Sequence, residues 1–402
     1  MKYILLKNGH IVQEDRLLTG SILIGNNRII EIGTDIKAPT PYTEIIDLSD
    51  KYLLPGLIHF NCSFLKSDTY NPTNSAIYIA LSHGATFLID TVKPKQEADF
   101  SKMICSAREG CKPIITDYGF HLRAYSCNRI SCEDLVKTIF NEGITSFFIR
   151  WKDLLKMEND ELEQLFELAA KLKLLIICES YEKDKDDTEK DHLVSRTSSD
   201  NYFNMIMKII EKHKCPFLFY GISTWKELDL LFSNKYLSNN LFASVNLNSK
   251  SDDTNRLECK DLEELMKNPN IILSPPELIL PNSQRSHFIE NDKTSSFLSD
   301  LIYNKKGIDE DLIVKVCEMY ASRPAKLLGI YPQKGVLEIG ADADIIVWNP
   351  SDPHIMKSRG TNTFLLRKDI NALIINGKMI TDEVYEVPYN LEGSYVYRNT
   401  II

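Results

Sequence analysis

From residue 51 to about residue 274 the chain alternates short apolar runs with helical patterns. No other feature limits the fold as strongly. The runs are LLPGLIHF, ATFLIDTV, PIITDYGFH, ITSFFIRW, LLIIC, PFLFYGIS, LFASVNL and NIILSPP. Helical patterns lie around 72–83, 97–109, 132–141 and 160–172. In the last of these, DELEQLFELAAKLK, the residues Leu162, Leu165, Phe166, Ala169 and Leu172 share one helical face, with Asn159 or Asp160 placed to cap its start. Repeated strand–helix units build a parallel sheet with crossover helices, and so many in succession predict a closed barrel. Chemistry in such a barrel sits where the strands run out at their C-terminal ends.

The two ends of the chain read differently. YILL, SILIG and RIIEIG, punctuated by NG, TG and NN, form a β-meander pattern. From about residue 334, GVLEIG, ADIIVWNP and INALIINGKMI return to strand character without alternating helices. The predicted fold is therefore α/β: a barrel domain over 51–333, and a small β-sandwich domain composed of 1–50 and 334–402. The charged run EKDKDDTEKD (182–191) reads as a solvated loop.

At 402 residues the chain can bury a substantial core. Its net charge of −9 comes without a basic cluster, so no nucleic-acid partner is expected. No apolar run reaches the length of a membrane span, and MKYILLKNGH turns polar too early for a signal peptide. The nine cysteines are scattered and include no C-x-x-C pair, which reads as reduced thiols in a cytoplasmic protein.

SRPAKLLGIYPQKGVLEIGADADIIVWNP (322–350) resembles a C-terminal pattern of the amidohydrolase superfamily, in its cyclic-amide branch of hydantoinases, dihydropyrimidinases, dihydroorotases and allantoinases. LKNGHIV, YLLPGLI, SHGATFLIDT, DYGFH and GITSFF follow the same branch in order and spacing. The resemblance implies an amidohydrolase-type TIM-like barrel and the opening of cyclic amides or imides. Hydroxide for that reaction would come from water held by two divalent cations. It also implies a ligand set: an H-x-H pair, a carbamylated lysine, two later histidines and an aspartate.

Mapped position by position, that set is degenerate. Asn61 and Ser63 stand at the H-x-H pair, Phe148 at the lysine and Gly221 at one later histidine. The other histidine falls on Ile177 or Glu179, depending on register. No aspartate is assigned between Pro276 and Ser322. The tyrosine that hydantoinases place after the lysine would fall near Asp153. No catalytic residue, no metal ligand and no cofactor is therefore expected.

Two sharper possibilities stand beside this reading. A strand period of two would aim His59 the same way as Asn61 and Ser63, and a relocated mononuclear zinc site would then use His59, His121 and Glu179. The plainer alternative is hydrogen-bonded histidines near the barrel interior. Alternatively, a vacant barrel mouth lined by His59, Asn61, Ser63, His121, Glu179 and Ser223 would bind a small neutral heterocycle. Cys178 lacks a placed base and reads as a core thiol, while Cys62 should point away from the barrel axis. The leading expectation is a catalytically inactive dihydroorotase- or dihydropyrimidinase-like homologue. It would act as an oligomeric scaffold, dimer or tetramer, or as the regulatory partner of an active paralogue or a pyrimidine-pathway enzyme. The alternative is a cyclic-amide hydrolase with a rebuilt or metal-free site.

Overall fold

The structure is a computed structural model. It describes residues 2–66, 72–93, 100–124, 136, 139–179, 196–232, 240–247, 255–274, 297–304, 307–349, 351, 366–367, 369–381 and 392–400. Most of the predicted helix at 132–141, the charged run 182–191, Cys127, Cys132 and the Pro275–Pro276 turn lie outside these residues.

The N-terminal meander forms as the turn chemistry predicts: β1 (Tyr3–Val12), β2 (Leu17–Gly25) and β3 (Arg28–Gly33), followed by β4 (Glu44–Asp47) and β5 (Tyr52–Pro55). Asn26 and Asn27 take left-handed backbone at the tight β2–β3 turn, a conformation asparagine tolerates better than most residues. Eight further strands follow: β6 (Leu57–His59), β7 (Ala85–Val92), β8 (Asp117–Arg123), β9 (Ser146–Ile149), β10 (Leu175–Glu179), β11 (Phe217–Ile222), β12 (Leu241–Val245) and β13 (Ile271–Leu273). They pair in chain order, each parallel to the next, and connections among them carry α1 (Asn74–Ser82), α2 (Phe100–Gly110), α3 (Trp151–Leu154), α4 (Asn159–Leu172), α5 (Arg196–His213), α6 (Trp225–Phe232) and α7 (Leu262–Leu265). α8 (Phe297–Ile302), a two-stranded ribbon of β14 (Tyr303–Asn304) and β15 (Gly307–Ile308), α9 (Glu310–Cys317) and α10 (Arg323–Leu328) lead to β16 (Ile345–Trp348), β17 (Ile370–Ile375) and β18 (Lys378–Thr381).

Helix α4 shows how local sequence sets these elements. Leu162, Leu165, Phe166 and Ala169 are buried on the predicted face. The cap sits one residue before the expected position: Glu158 and Glu161 exchange backbone and side-chain hydrogen bonds, a reciprocal arrangement that a Ser/Thr/Asp/Asn search overlooks.

Among the described residues, β6 and β13 are the two edges of the parallel sheet. Glu318–Ser322, wound as a single π-helical stretch, lies against both edges. Tyr320 donates to the Ser274 carbonyl at 3.3 Å, and Arg323 donates to the carbonyls of Ile271 (2.7 Å) and Asn268 (3.0 Å).

Both chain ends meet in a second sheet of order β18-β17-β16-β5-β1-β2-β3, with β4 also on β1. The expected sandwich of two sheets is in fact one mixed sheet. It branches at β1, whose first half pairs with β4 and whose second half pairs with β5. GVLEIG forms no strand; its Leu337 packs instead into the core of this sheet beside Ile345 and Ile374. No helix among the described residues is long and apolar enough to cross a membrane.

Candidate functional site: a barrel interior filled with aromatic rings

Alternation along the parallel strands sorts side chains into two layers. Leu57, Leu88, Phe147, Ile176, Cys178 and Phe217 face the helices. Ile58, Phe87, Ile89, Phe148, Leu175, Ile177, Leu218, Tyr220 and Ile272 form a separate apolar cluster inside. Cys178 is thus a buried thiol of the outer layer, in contact with the Glu179 carbonyl at 3.6 Å.

Phe148 occupies the centre of the interior. It is 2% exposed, with the His121 ring stacked 6.2 Å away, Tyr220 edge-on at 6.2 Å and the Arg123 guanidinium 5.7 Å from its centroid. Ile177 pairs directly with Phe148, and Glu179, opposite Tyr220, lies one inward-facing step nearer the strand tips. Both residues between which the sequence register stood open are therefore on the interior face. Gly221 sits at an irregularity between Tyr220 and Ile222 with φ 84°, a backbone region that disfavours any residue with a Cβ.

The segment Asn61–Ser63, where the resemblance places the H-x-H pair, is not strand. β6 ends at His59, so the period of two does not carry from His59 to Asn61 and Ser63. His59 itself is 8% exposed and pairs in register with Leu88; since Ile58 faces the interior, alternation turns His59 to the helix-facing side. Cys62 also points away from the barrel axis, its sulfur 3.8 Å from the Ala76 carbonyl of α1. Asn61 is half-buried, and Ser63 is exposed with left-handed backbone, φ 50°. Asp90 fixes this loop: its carboxylate accepts from the backbone N–H groups of Leu65 and Thr91, each at 2.6 Å. Burial pushes the Asp90 pKa up to about 6.

His121 is fully buried. Its Nε2 lies 2.7 Å from the Phe60 carbonyl, which can only accept, so Nε2 carries the proton. Nδ1 then accepts from Ser146 Oγ, which itself accepts from Arg398 at 2.8 Å. Burial first, and the Arg398 charge second, hold the His121 pKa well below its ordinary value. The ring is a neutral structural link.

Two arginines that the sequence reading did not single out, Arg123 and Arg150, bring positive charge to the strand tips. Asp153 bridges Arg123 (2.9 Å) and Arg150 (2.7 and 2.8 Å). Burial acts to raise the Asp153 pKa, but the two guanidinium groups outweigh it and hold the carboxyl below the usual range. Glu179 is half-buried and adds its field to Arg123. Arg123 follows His121 by two positions, so strand alternation alone places it on the interior face. That signal was present in DYGFHLR. Ser223 serves a helix start: Glu227 accepts from the N–H groups of Ser223 and Thr224 at 3.1 and 3.2 Å, capping α6.

These residues do not fit a pair of divalent cations. A phenyl ring fills the lysine position, a left-handed glycine stands where an imidazole is needed, and amide and hydroxyl groups replace the H-x-H pair. Among the described residues, no three His, Cys, Asp or Glu side chains converge as metal ligands.

The family model described as "Amidohydrolase family" matches residues 53–380. Similar proteins include the D-hydantoinases of Rhizobium radiobacter (21% identical; 98% of this chain and 98% of the relative) and of Geobacillus stearothermophilus (24%; 98% and 93%). Dihydropyrimidinase-related protein 5 of Rattus norvegicus is 22% identical over 92% of this chain and 74% of its own length. Among solved structures, the dihydropyrimidinase of Brevibacillus agri is similar in fold, with a TM-score of 0.73 at 19% identity, covering 100% of this chain and 99% of that one.

Proposed function

The chain belongs to the amidohydrolase family, and from that membership we propose that it is a hydantoinase- or dihydropyrimidinase-like homologue that no longer hydrolyses cyclic amides and serves as an oligomeric scaffold or regulatory partner. One observation carries this reading: Phe148, packed among His121, Tyr220 and Ile177 where the resemblance calls for a carbamylated lysine. A phenyl ring cannot become a carbamate, and it takes up the volume that bridged cations would need. Without them, no group in the interior among the described residues is placed to lower the pKa of water enough to make hydroxide at neutral pH. The expected assembly is a dimer or tetramer, with an active paralogue or a pyrimidine-pathway enzyme as candidate partner.

Elemental analysis of the purified protein, run beside ring-opening assays on dihydrouracil, hydantoin, dihydroorotate and allantoin, tests the reading. The expected result is no stoichiometric metal, no ring opening and a single defined oligomer by light scattering. Stoichiometric zinc, or turnover of any of the four rings, would establish instead a hydrolase with a rebuilt site.

A second reading is favoured by the charged strand tips, where Asp153 pairs with Arg123 and Glu179 is half-buried on the interior face. These polar groups suit a small heterocycle. Binding without turnover would raise the melting temperature with increasing ligand, by linkage.

A further inference from the structure

Residues 392–400 lie under the N-terminal ends of the barrel strands, opposite the degenerate tips, and bond to the rest of the chain through their backbone. The Gly393 N–H donates to the Ile114 carbonyl (2.7 Å), Tyr118 N–H to the Ser394 carbonyl (3.1 Å) and Val396 N–H to the Tyr118 carbonyl (2.9 Å). Arg398 N–H then donates to the Gly143 carbonyl (3.1 Å) and Asn399 N–H to the Gly329 carbonyl (3.2 Å). Side chains add to this. Tyr395 donates to the Glu142 carbonyl at 2.8 Å, and the Arg108 guanidinium lies 4.8 Å and 5.2 Å from the Tyr395 and Tyr397 rings. Val396 enters the interior apolar cluster.

The receiving surface is shaped for this segment. Gly143 and Gly329 both have left-handed backbone, at φ 62° and 70°. A Cβ at Gly143 would come within 2.8 Å of the Arg398 nitrogen, and one at Gly329 would overlap the Asn399 carbonyl oxygen.

Arg398 works against this fit. It is 4% exposed, and its guanidinium donates to Ser146 Oγ and to the Phe120 carbonyl. Among the described residues no carboxylate acts on its charge, and its buried Nε–H has no acceptor. Burial pushes its pKa down to about 10. An ion taken out of water without a counter-charge is costly, and an apolar side chain of similar length avoids that cost. A permanent closure would be tighter with an apolar residue at 398, or with a carboxylate facing it.

We propose that Glu392–Thr400 is a releasable strap, held against the barrel floor by its backbone, its tyrosines and Val396, and opposed by the buried, uncompensated charge of Arg398. Release uncovers the lower end of the interior cluster, an apolar surface that the docked strap hides.

The test uses the full chain with a protease site inserted within residues 382–391. After cleavage, a labelled synthetic peptide of residues 392–400 is added in excess, and its exchange with the cut strap is followed by anisotropy. The cut wild-type strap should exchange within hours. The Arg398→Met chain, challenged with the matching peptide, should exchange at least about tenfold more slowly. The Tyr395→Ala pair should exchange faster. A wild-type strap that never exchanges, or an Arg398→Met strap that leaves as fast as wild type or faster, overturns the proposal. A Gly329→Ala chain supplies a measurement without cleavage: with its docking surface blocked, trypsin should cut after Arg398 under conditions where the wild-type chain resists. Equal resistance also counts against the strap.

Discussion

Putting an amine at Phe148 measures how far the interior has moved from a metal site. Phe148→Lys would bury an ammonium among Ile177, Tyr220 and His121, close to the Arg123 guanidinium. The expected outcome is a loss of about 3 kcal/mol or more in urea unfolding, with no gain of bound metal by elemental analysis. Asp90 makes a second prediction at this scale. Its folded pKa is about 6 against an unfolded value near 4, so between those pH values the folded chain keeps a proton that the unfolded chain has lost. The contribution of this group to stability therefore falls as pH rises from about 4 to about 6, and is level above. Asp90→Asn removes that titration. The stability of wild type minus that of the variant should drop by up to about 3 kcal/mol across the window, read from urea midpoints at successive pH values. A flat difference would mean that Asp90 is not desolvated.

At the scale of elements, the strand tips decide what the site can become. β11 reaches its tip through the irregularity at Gly221, and β6 stops before Asn61 and Ser63, so three of the positions at which the resemblance would place ligands are off regular strand. Exchanging single residues at those positions would not rebuild a ligand set. The tips of β8 and β9 are tied instead by Arg123, Asp153 and Arg150. Asp153→Asn should destabilise by about 3 kcal/mol in thermal or urea unfolding. Most of that loss comes through Arg123, whose side chain is 9% exposed; Arg150 at 40% is screened by water and contributes little. The strands themselves were legible as apolar runs, and the outer-layer face of α4 followed from its helical spacing. The irregularities were not, because they arise from how neighbouring strands pair.

Across the whole molecule, one buried ammonium joins the parts. Lys334 contacts Asp117 of β8 (2.6 Å), and Asp342 (3.1 Å) and Asp344 (2.7 Å) from the approach to β16. Burial acts to lower the Lys334 pKa, and the three carboxylates outweigh it and raise it. Asp117 also accepts from Asn376, in the β17–β18 turn, and from the Ser394 N–H of the strap. The run DADIIVWNP therefore works structurally, through a lysine supplied from the QKG turn. Lys334→Met leaves three buried carboxylates without their cation. It should cost about 3–5 kcal/mol and loosen the strap together with the terminal sheet, visible as faster hydrogen exchange in both.

Sequence alone determined the alternating strand–helix order, the meander at the N-terminus, and the residue types Asn61, Ser63, Phe148 and Gly221 at the positions where the resemblance implies metal ligands. Those follow from local periodicity and side-chain chemistry, which need no neighbours. Only the tertiary structure decided what surrounds those positions. Phe148 became the centre of a packed interior because six other strands bring their inward residues to it. His121 became a neutral link because Ser146 and Arg398, distant in sequence, surround it. The branching at β1 and the strap beneath the barrel are likewise pairings between remote segments, set by burial and hydrogen bonding that no local pattern encodes.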